Sequence, residues 1–225
     1  MNKQVVSPLI KQAINNKKKH NLNKELYQAV KSNNYDEIKK LIEAGATIFK
    51  GNSKEFKLYS EDEDTPLHIA TKNGFLNIIK LLVENGAIID ATNRKEQTPL
   101  HWAVHNGYSD IINYLLAHGA DINAKENEGD SALTWAVYLG HLNIVKQLLE
   151  KNAKVNSYNI DRVTPLHWAA YKGDVAILRL LLEHGANIND VTKIGDTPIL
   201  CATHNGHVEA VQFLLDYMHQ QKLCL

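Results

Sequence analysis

Eleven histidines are the residues best able to do chemistry in this chain of 225 residues. A metal or general-base site needs several of them to converge on one point. His101 and His105 stand four residues apart, one helical turn. The intervening Trp102-Ala103-Val104 lacks the glutamate that a zinc-protease motif requires. His141 and His207 each follow a glycine, and His118 and His184 each precede one, where a cation suits a helix C-terminus. Residues that recur in step form a row and do not close on one ion. The two cysteines, Cys201 and Cys224, have no base at a recognisable spacing. No serine sits in a nucleophile elbow, no Gly-rich loop is set to cradle phosphate, and no pair of carboxylates stands out. The expectation is a chain with no catalytic residue, no metal and no cofactor.

The elements that position these residues recur at a fixed interval. Thr98 to Asn123 reads TPLHWAVHNGYSDIINYLLAHGADIN. Thr98 is a good N-cap and Pro99 suits the first helical position. Leu100, Ala103 and Val104 fall on one helix face, and Gly107 ends the helix in a left-handed conformation. Ser109-Asp110 opens a second helix whose stripe is Ile111, Ile112, Leu115 and Leu116, ended by Gly119. The opening returns at Thr65, Ser131, Thr164 and Thr197, always 33 residues from the next copy. The mid-repeat glycine recurs at Gly74, Gly107, Gly140, Gly173 and Gly206. Asn152 stands at a second stop, as the non-Gly residue that best tolerates the left-handed region.

This period and the Thr-Pro-Leu-His opening resemble the ankyrin repeat. The resemblance implies an all-α fold, an ankyrin-repeat solenoid of stacked helix-turn-helix units with protruding loop or β-hairpin fingers. It also implies that His68, His101 and His167 bond locally and to the adjacent repeat. Thr134 and Leu200 hold the same position without a ring nitrogen, so weaker bonding is expected there.

The expected organisation is a tail over 1–23, partly helical or disordered, and a repeat domain over 24–225. Within it, 24–46 is a degraded capping repeat, 47–64 a loop with an eight-residue insertion, and regular repeats start near 65, 98, 131, 164 and 197. The capping repeat aligns Leu26, Ala29, Ile38, Leu41, Ile42 and Gly45 with later repeats, with Asn33 in place of the mid-repeat glycine. In the tail, Ser7-Pro8 can start a short helix using Leu9, Ile10, Ala13 and Ile14. Lys17-Lys18-Lys19-His20 reads as a solvated stretch before it reads as a nuclear signal or phosphate contact. In the insertion, Phe49, Phe56, Leu58 and Tyr59 either cover the edge of the stack or face a partner. The run Glu61 to Asp64 precedes a helix N-terminus, which favours acids. The last helix lacks a glycine stop and is expected to run on toward Gln221, with a polar end.

Formal net charge is zero, which gives no general drive toward nucleic acid or an anionic membrane. No apolar run approaches a membrane span, and no signal peptide, myristoylation site or prenylation box is read. A cytoplasmic monomer is expected, secretion into a host cytosol being the other reading. Two cysteines with no disulfide framework fit a reducing compartment.

The expected function is a non-catalytic protein-interaction module that binds a partner protein through its concave face and fingers. The alternatives are an inhibitory or regulatory subunit that occludes an enzyme, and a host-directed effector of an intracellular microbe. Carried over from the resemblance, the contact residues are finger tips and first-helix ends. The favoured set is Tyr138, Leu139, Tyr158, Ile160, Asp161, Val163, Trp168, Tyr171, Lys172, Lys193, Ile194 and His204. The secondary set is Thr92, Arg94, Lys95, Gln97, His105, Lys125 and Glu128. The later fingers carry apolar residues where solvated ones would serve, so the contact core is expected from Ser131 onward. Trp102, Trp135 and Trp168 share one repeat position and form either inter-repeat packing or a half-open platform.

Overall fold

A computed structural model describes the backbone of residues 8–48 and 60–223 and the side chains of 20–48 and 60–221. Phe49, Phe56, Leu58, Tyr59 and Cys224 lie outside the described residues, as do the side chains of Leu9, Ile10, Ala13 and Ile14. The chain divides into two compact units, Met1–Pro99 and Leu100–Leu225.

The first unit holds α1 (Pro8–Lys31), α2 (Tyr35–Glu43), α3 (Pro66–Lys72) and α4 (Leu76–Glu84). Helix α1 runs unbroken through the expected boundary between tail and first repeat, because nothing between Pro8 and Lys31 is a glycine or a second proline. Asn33 then turns the chain at φ 55°, taking the part glycine plays in later repeats. Asn34 caps α2 by accepting from Glu37 N at 3.2 Å. Leu26, Tyr27, Val30, Ile38, Leu67, Ile79 and Leu82 close the core of this unit. Each such side chain contributes about 1.5–3 kcal/mol by leaving water.

The second unit holds α5 (Pro99–His105), α6 (Ser109–Ala117), α7 (Ala132–Tyr138), α8 (Leu142–Glu150), α9 (Pro165–Lys172), α10 (Val175–Glu183), α11 (Pro198–His204) and α12 (Val208–Leu223). First helices pack on first helices, α7 on α9 and α9 on α11. Second helices do the same, α8 on α10 and α10 on α12. Alanines make this close approach possible: Ala103, Ala136, Ala169 and Ala202 stand at one repeat position, and all are fully buried. The final helix extends to Leu223, past the end of the earlier second helices. Asn152 adopts φ 63° at its turn.

The tetrapeptide opening works as a hydrogen-bonded box. At the first copy, His68 Nδ1 accepts from Thr65 N at 3.2 Å and meets Thr65 Oγ1 at 2.8 Å. With Nδ1 accepting, Nε2 carries the proton and donates to Gln97 O at 2.9 Å. His167 repeats this with Thr164 N, Thr164 Oγ1 and, 29 residues on, Asp196 O at 3.1 Å. Burial drives the His68 pKa down to about 4 and also lowers that of His167, so both rings are neutral. His101 is equally buried and meets the Trp135 ring edge-on at 5.5 Å. Thr134 keeps only the local box, its hydroxyl 3.1 Å from Ser131 Oγ and 3.4 Å from Ser131 N. Leu200 is exposed at the last copy.

Four more histidines have backbone partners. His118 Nδ1 bonds Tyr114 O and His184 Nδ1 bonds Leu180 O, each at 2.8 Å, closing the last turn of a second helix. His207 Nε2 reaches Tyr171 O at 2.9 Å, and His141 Nε2 reaches His105 O at 3.4 Å, tying each repeat to the preceding first helix. Among the described residues, no three His, Cys, Asp or Glu side chains are placed to hold a metal ion. No described helix is long and apolar enough to cross a membrane.

Candidate partner-binding surface

Each of the four fingers that precede α5, α7, α9 and α11 is organised by one residue. Asn93, Glu126, Asn159 and Thr192 stand 33 apart and accept from the backbone ahead of them. Asn93 Oδ1 takes Lys95 N at 2.9 Å and Gln97 N at 3.1 Å. Glu126 Oε1 takes Glu128 N at 3.1 Å and Asp130 N at 3.2 Å. Asn159 Oδ1 takes Asp161 N and Val163 N, both at 3.0 Å. Thr192 Oγ1 takes Asp196 N at 3.1 Å. The main chain closes each loop as well, for example Glu126 N on Asp130 O at 3.1 Å and Asn159 N on Val163 O at 3.1 Å. Lys125 and Ser131 form an isolated antiparallel bridge at the base of one finger.

The tip of each finger is left-handed at a matching position: Glu63, Glu96, Gly129, Arg162 and Gly195 have φ of 58°, 58°, 81°, 60° and 88°. At Gly129 a Cβ would lie 3.1 Å from both Asn159 Cα and Ile160 N, so the next finger's backbone sits against the bare glycine. Fingers are joined by main-chain bonds within each unit. Arg94 N donates to Asp62 O at 2.7 Å, Ile160 N to Glu128 O at 2.8 Å and Lys193 N to Asp161 O at 2.9 Å.

Eight of the twelve favoured residues line two neighbouring cavities in the second unit. One, of about 330 Å³, is lined by His105, Asp130, Thr134, Trp135, Tyr138, Leu139 and Trp168. The other, of about 510 Å³, is lined by Asp161, Val163, Trp168, Tyr171, Lys193, Ile194 and Asp196, with His167, Thr192 and Cys201. Trp168 forms a wall of both. Its ring meets Tyr138 edge-on at 4.9 Å and Tyr171 edge-on at 5.6 Å. Trp102, Trp135 and Trp168 are all half-buried, and Trp102 meets Trp135 edge-on at 6.1 Å, so the ladder both packs and stays partly open. Tyr158 and Ile160 line neither cavity but stand out at the finger tip, 57% and 50% exposed. Ile194 is 85% exposed, and Tyr138 and Tyr171 are also exposed. Lys125 holds its finger to the next by donating to Tyr158 O and lying 5.0 Å from the Tyr158 ring centre. Glu128 is exposed and contributes its carbonyl to the Ile160 bond. Lys172 lies 4.4 Å from the Tyr138 ring centre, Lys193 pairs loosely with Asp161 at 3.7 Å, and His204 stands 3.8 Å from Asp196.

In the first unit, Arg94 and Lys95 are exposed and Thr92 is half-buried. Gln97 corrects the expectation. It is 6% exposed, its carbonyl receives the His68 proton, and its side-chain oxygen accepts from Asn93 Nδ2 at 3.1 Å. It is buried and holds the finger to the helix.

Asp130 carries no signal in the sequence taken one repeat at a time. Burial pushes its carboxyl up to about 6, helped by the charges of Glu126 and Glu128, while the Asn159 side-chain hydrogen bond and Lys125 oppose the rise. Its Oδ1 is buried with no hydrogen-bond partner, as is Trp168 Nε1. The signal lies in the register. Asp64 and Asp196 occupy the same repeat position and have a basic residue eight residues on, Lys72 and His204; Asp130 has Tyr138 there. Cys201 lines the second cavity without being reactive. Burial, with Asp196 second, pushes its thiol up to about 11, which leaves it protonated and a poor nucleophile at neutral pH.

Comparison with known proteins agrees with this architecture. A family model described as ankyrin repeats (3 copies) matches residues 26–126 and 133–223. A second, ankyrin repeats (many copies), matches residues 110–149. A putative ankyrin repeat protein of Rickettsia bellii (strain RML369-C) is 36% identical over 84 residues, which cover 30% of this chain and 35% of the relative. The chain thus spans about a third of the length of that relative. Paired helices in a 33-residue phase, sealed by the Thr-His box and matched over most of their length, place the chain in the ankyrin repeat family, whose general role is non-catalytic protein–protein interaction.

Proposed function

We propose that this chain binds a partner protein through the fingers and first-helix ends of the repeats from Ser131 onward. One observation carries the reading. Tyr138, Tyr158, Ile160, Tyr171 and Ile194 are all exposed, on fingers and helix ends that surround two cavities sharing the Trp168 indole. Large apolar side chains left in water at a finger tip cost solubility and add nothing to the core. Ringed by Asp161, Lys172 and Lys193, they have the anatomy of a contact core with a polar rim. The hydrogen-bonded fingers hold these side chains in place before binding, which limits the ordering cost of association.

The test is affinity capture from an extract of the source cell with wild-type chain, a Tyr158→Ala/Ile160→Ala double variant, and Arg94→Ala. The expected outcome is one protein retained by wild type and Arg94→Ala and lost by the double variant. Retention by the double variant with loss in Arg94→Ala would place the contact core on the earlier fingers instead.

A further inference from the structure

We propose that the cavity lined by Asp130, Trp135, Tyr138 and Trp168 receives a lysine side chain of the partner protein. Its ammonium donates to the Asp130 carboxylate and its methylene stem lies against the three rings. This rests on the reading of the later repeats as the partner surface, and names what one part of that surface recognises.

The repeat register supplies the first argument. Three repeats place an aspartate just before the first helix. At Asp64 the carboxylate is met by the ammonium of Lys72, and at Asp196 it stands 3.8 Å from the His204 ring nitrogen. At Asp130 the matching position is Tyr138, and a cavity of about 330 Å³ opens beside the carboxylate. The first repeat therefore shows how an ammonium satisfies this aspartate, and the third has the same aspartate without an ammonium of its own at that register.

The chemistry of the walls is the second. Asp130 Oδ1 is buried without a hydrogen-bond partner, a costly state unless a donor arrives. Glu126 and Glu128 on the same finger, against Lys125 alone, make the field around it negative. Trp135, Tyr138 and Trp168 line the cavity, and aromatic rings attract a desolvated cation over their faces. Lys172, 4.4 Å from the Tyr138 ring centre, shows that this ring accepts an ammonium, and it does not line the cavity itself. Lysine fits better than a quaternary ammonium because the carboxylate asks for an N–H. It fits better than arginine because one free carboxylate oxygen cannot serve a five-donor fork. The unpartnered Trp168 Nε1–H calls for an acceptor, which the backbone carbonyl of the same partner lysine can supply.

The experiment titrates full-length chain with Nα-acetyl-lysine N-methylamide and follows the tryptophan indole N–H signals by NMR. The expected result is saturable shifts of Trp135 and Trp168 with an affinity of about 1 mM, the scale a ligand of this size reaches. The norleucine analogue, which lacks the ammonium, should shift neither. Asp130→Asn should weaken the lysine probe at least about tenfold, and Tyr138→Leu several-fold. Equal shifts from norleucine, tighter binding of the trimethyl-lysine analogue, or wild-type affinity in Asp130→Asn would each overturn the proposal. If the probe fails while partner capture still depends on Tyr158 and Ile160, the lysine assignment alone falls. If the probe binds while capture ignores those two residues, the wider surface is wrong.

Discussion

Replacing Asp130 by asparagine should make the fold more stable at neutral pH. The carboxyl lies in a setting that raises its pKa from the ordinary 3.8 to about 6, with burial the first cause and Glu126 and Glu128 adding to it. A shift of that size corresponds to about 3 kcal/mol, at 1.36 kcal/mol for each tenfold change in proton affinity. The residue is half-buried, and screening by the water that reaches it reduces this to about 1–2 kcal/mol. The sign follows from linkage. Between pH 4 and 6 the folded state holds a proton that the unfolded state has released, so stability falls as pH rises through that window and stays low above it. The amide of the variant would keep an oxygen for the Asn159 side chain and lose the charge. The groups facing the site are Glu126, Glu128, Lys125, Asn159 and His105, and the substitution leaves each in place. Urea unfolding followed by tryptophan fluorescence is the assay, since Trp102, Trp135 and Trp168 all lie in the second unit. The variant should gain about 1–2 kcal/mol at pH 7.5. The gain should vanish by pH 4, where wild type is protonated. A loss at pH 7.5, or an equal gain at both pH values, would refute the electrostatic account. A gain in stability together with lost affinity for the lysine probe would show that the chain keeps a costly charge for recognition.

His68→Ala should cost about 2–4 kcal/mol, since it strands Gln97 O and the Thr65 N–H in a buried site; urea unfolding would read it. Because the His68 pKa is depressed to about 4, its contribution is full above pH 6.5 and is lost as pH falls from 6.5 to 4. A wild-type acid limb in that window that survives in His68→Ala would count against it. Asn159→Ala should open its finger, seen as faster hydrogen exchange at the Asp161 and Val163 amides with little change in the α10 core. Gly129→Ala should cost about 1–2 kcal/mol from its left-handed backbone alone. Its Cβ would also press on Asn159 and Ile160, so the Ile160 N–H should exchange faster.

The helices and their phase were legible because glycine and proline punctuate them. A left-handed stop every 33 residues leaves few other readings, and Asn33 and Asn152 obey the same rule. The fingers were less legible. Their left-handed tips fall on Glu63, Glu96 and Arg162 as often as on glycine, so residue type gives no warning. Their builder is Asn, Glu, Asn and Thr in turn, and only its function, an acceptor aimed at the amides ahead, is constant. Gln97 misled because a polar finger residue looks solvent-facing, whereas here it is held under the finger by Asn93 and His68. The length of α1 was hidden too, since its polar run through Lys17 to His20 lacks an apolar stripe yet contains nothing that breaks a helix. The Asp130 cavity sits at a difference between repeats, a tyrosine where two others carry a basic residue. Such a feature appears only when repeats are compared column by column.

The most direct test of the partner surface is hydrogen exchange on the full chain, free and bound to the protein it captures. Added protection at Glu128–Leu139, Tyr158–Lys172 and Lys193–His204, with Thr92–Gln97 unchanged, is the predicted result. Protection confined to Thr92–Gln97, with the later fingers exchanging as in the free chain, would contradict it.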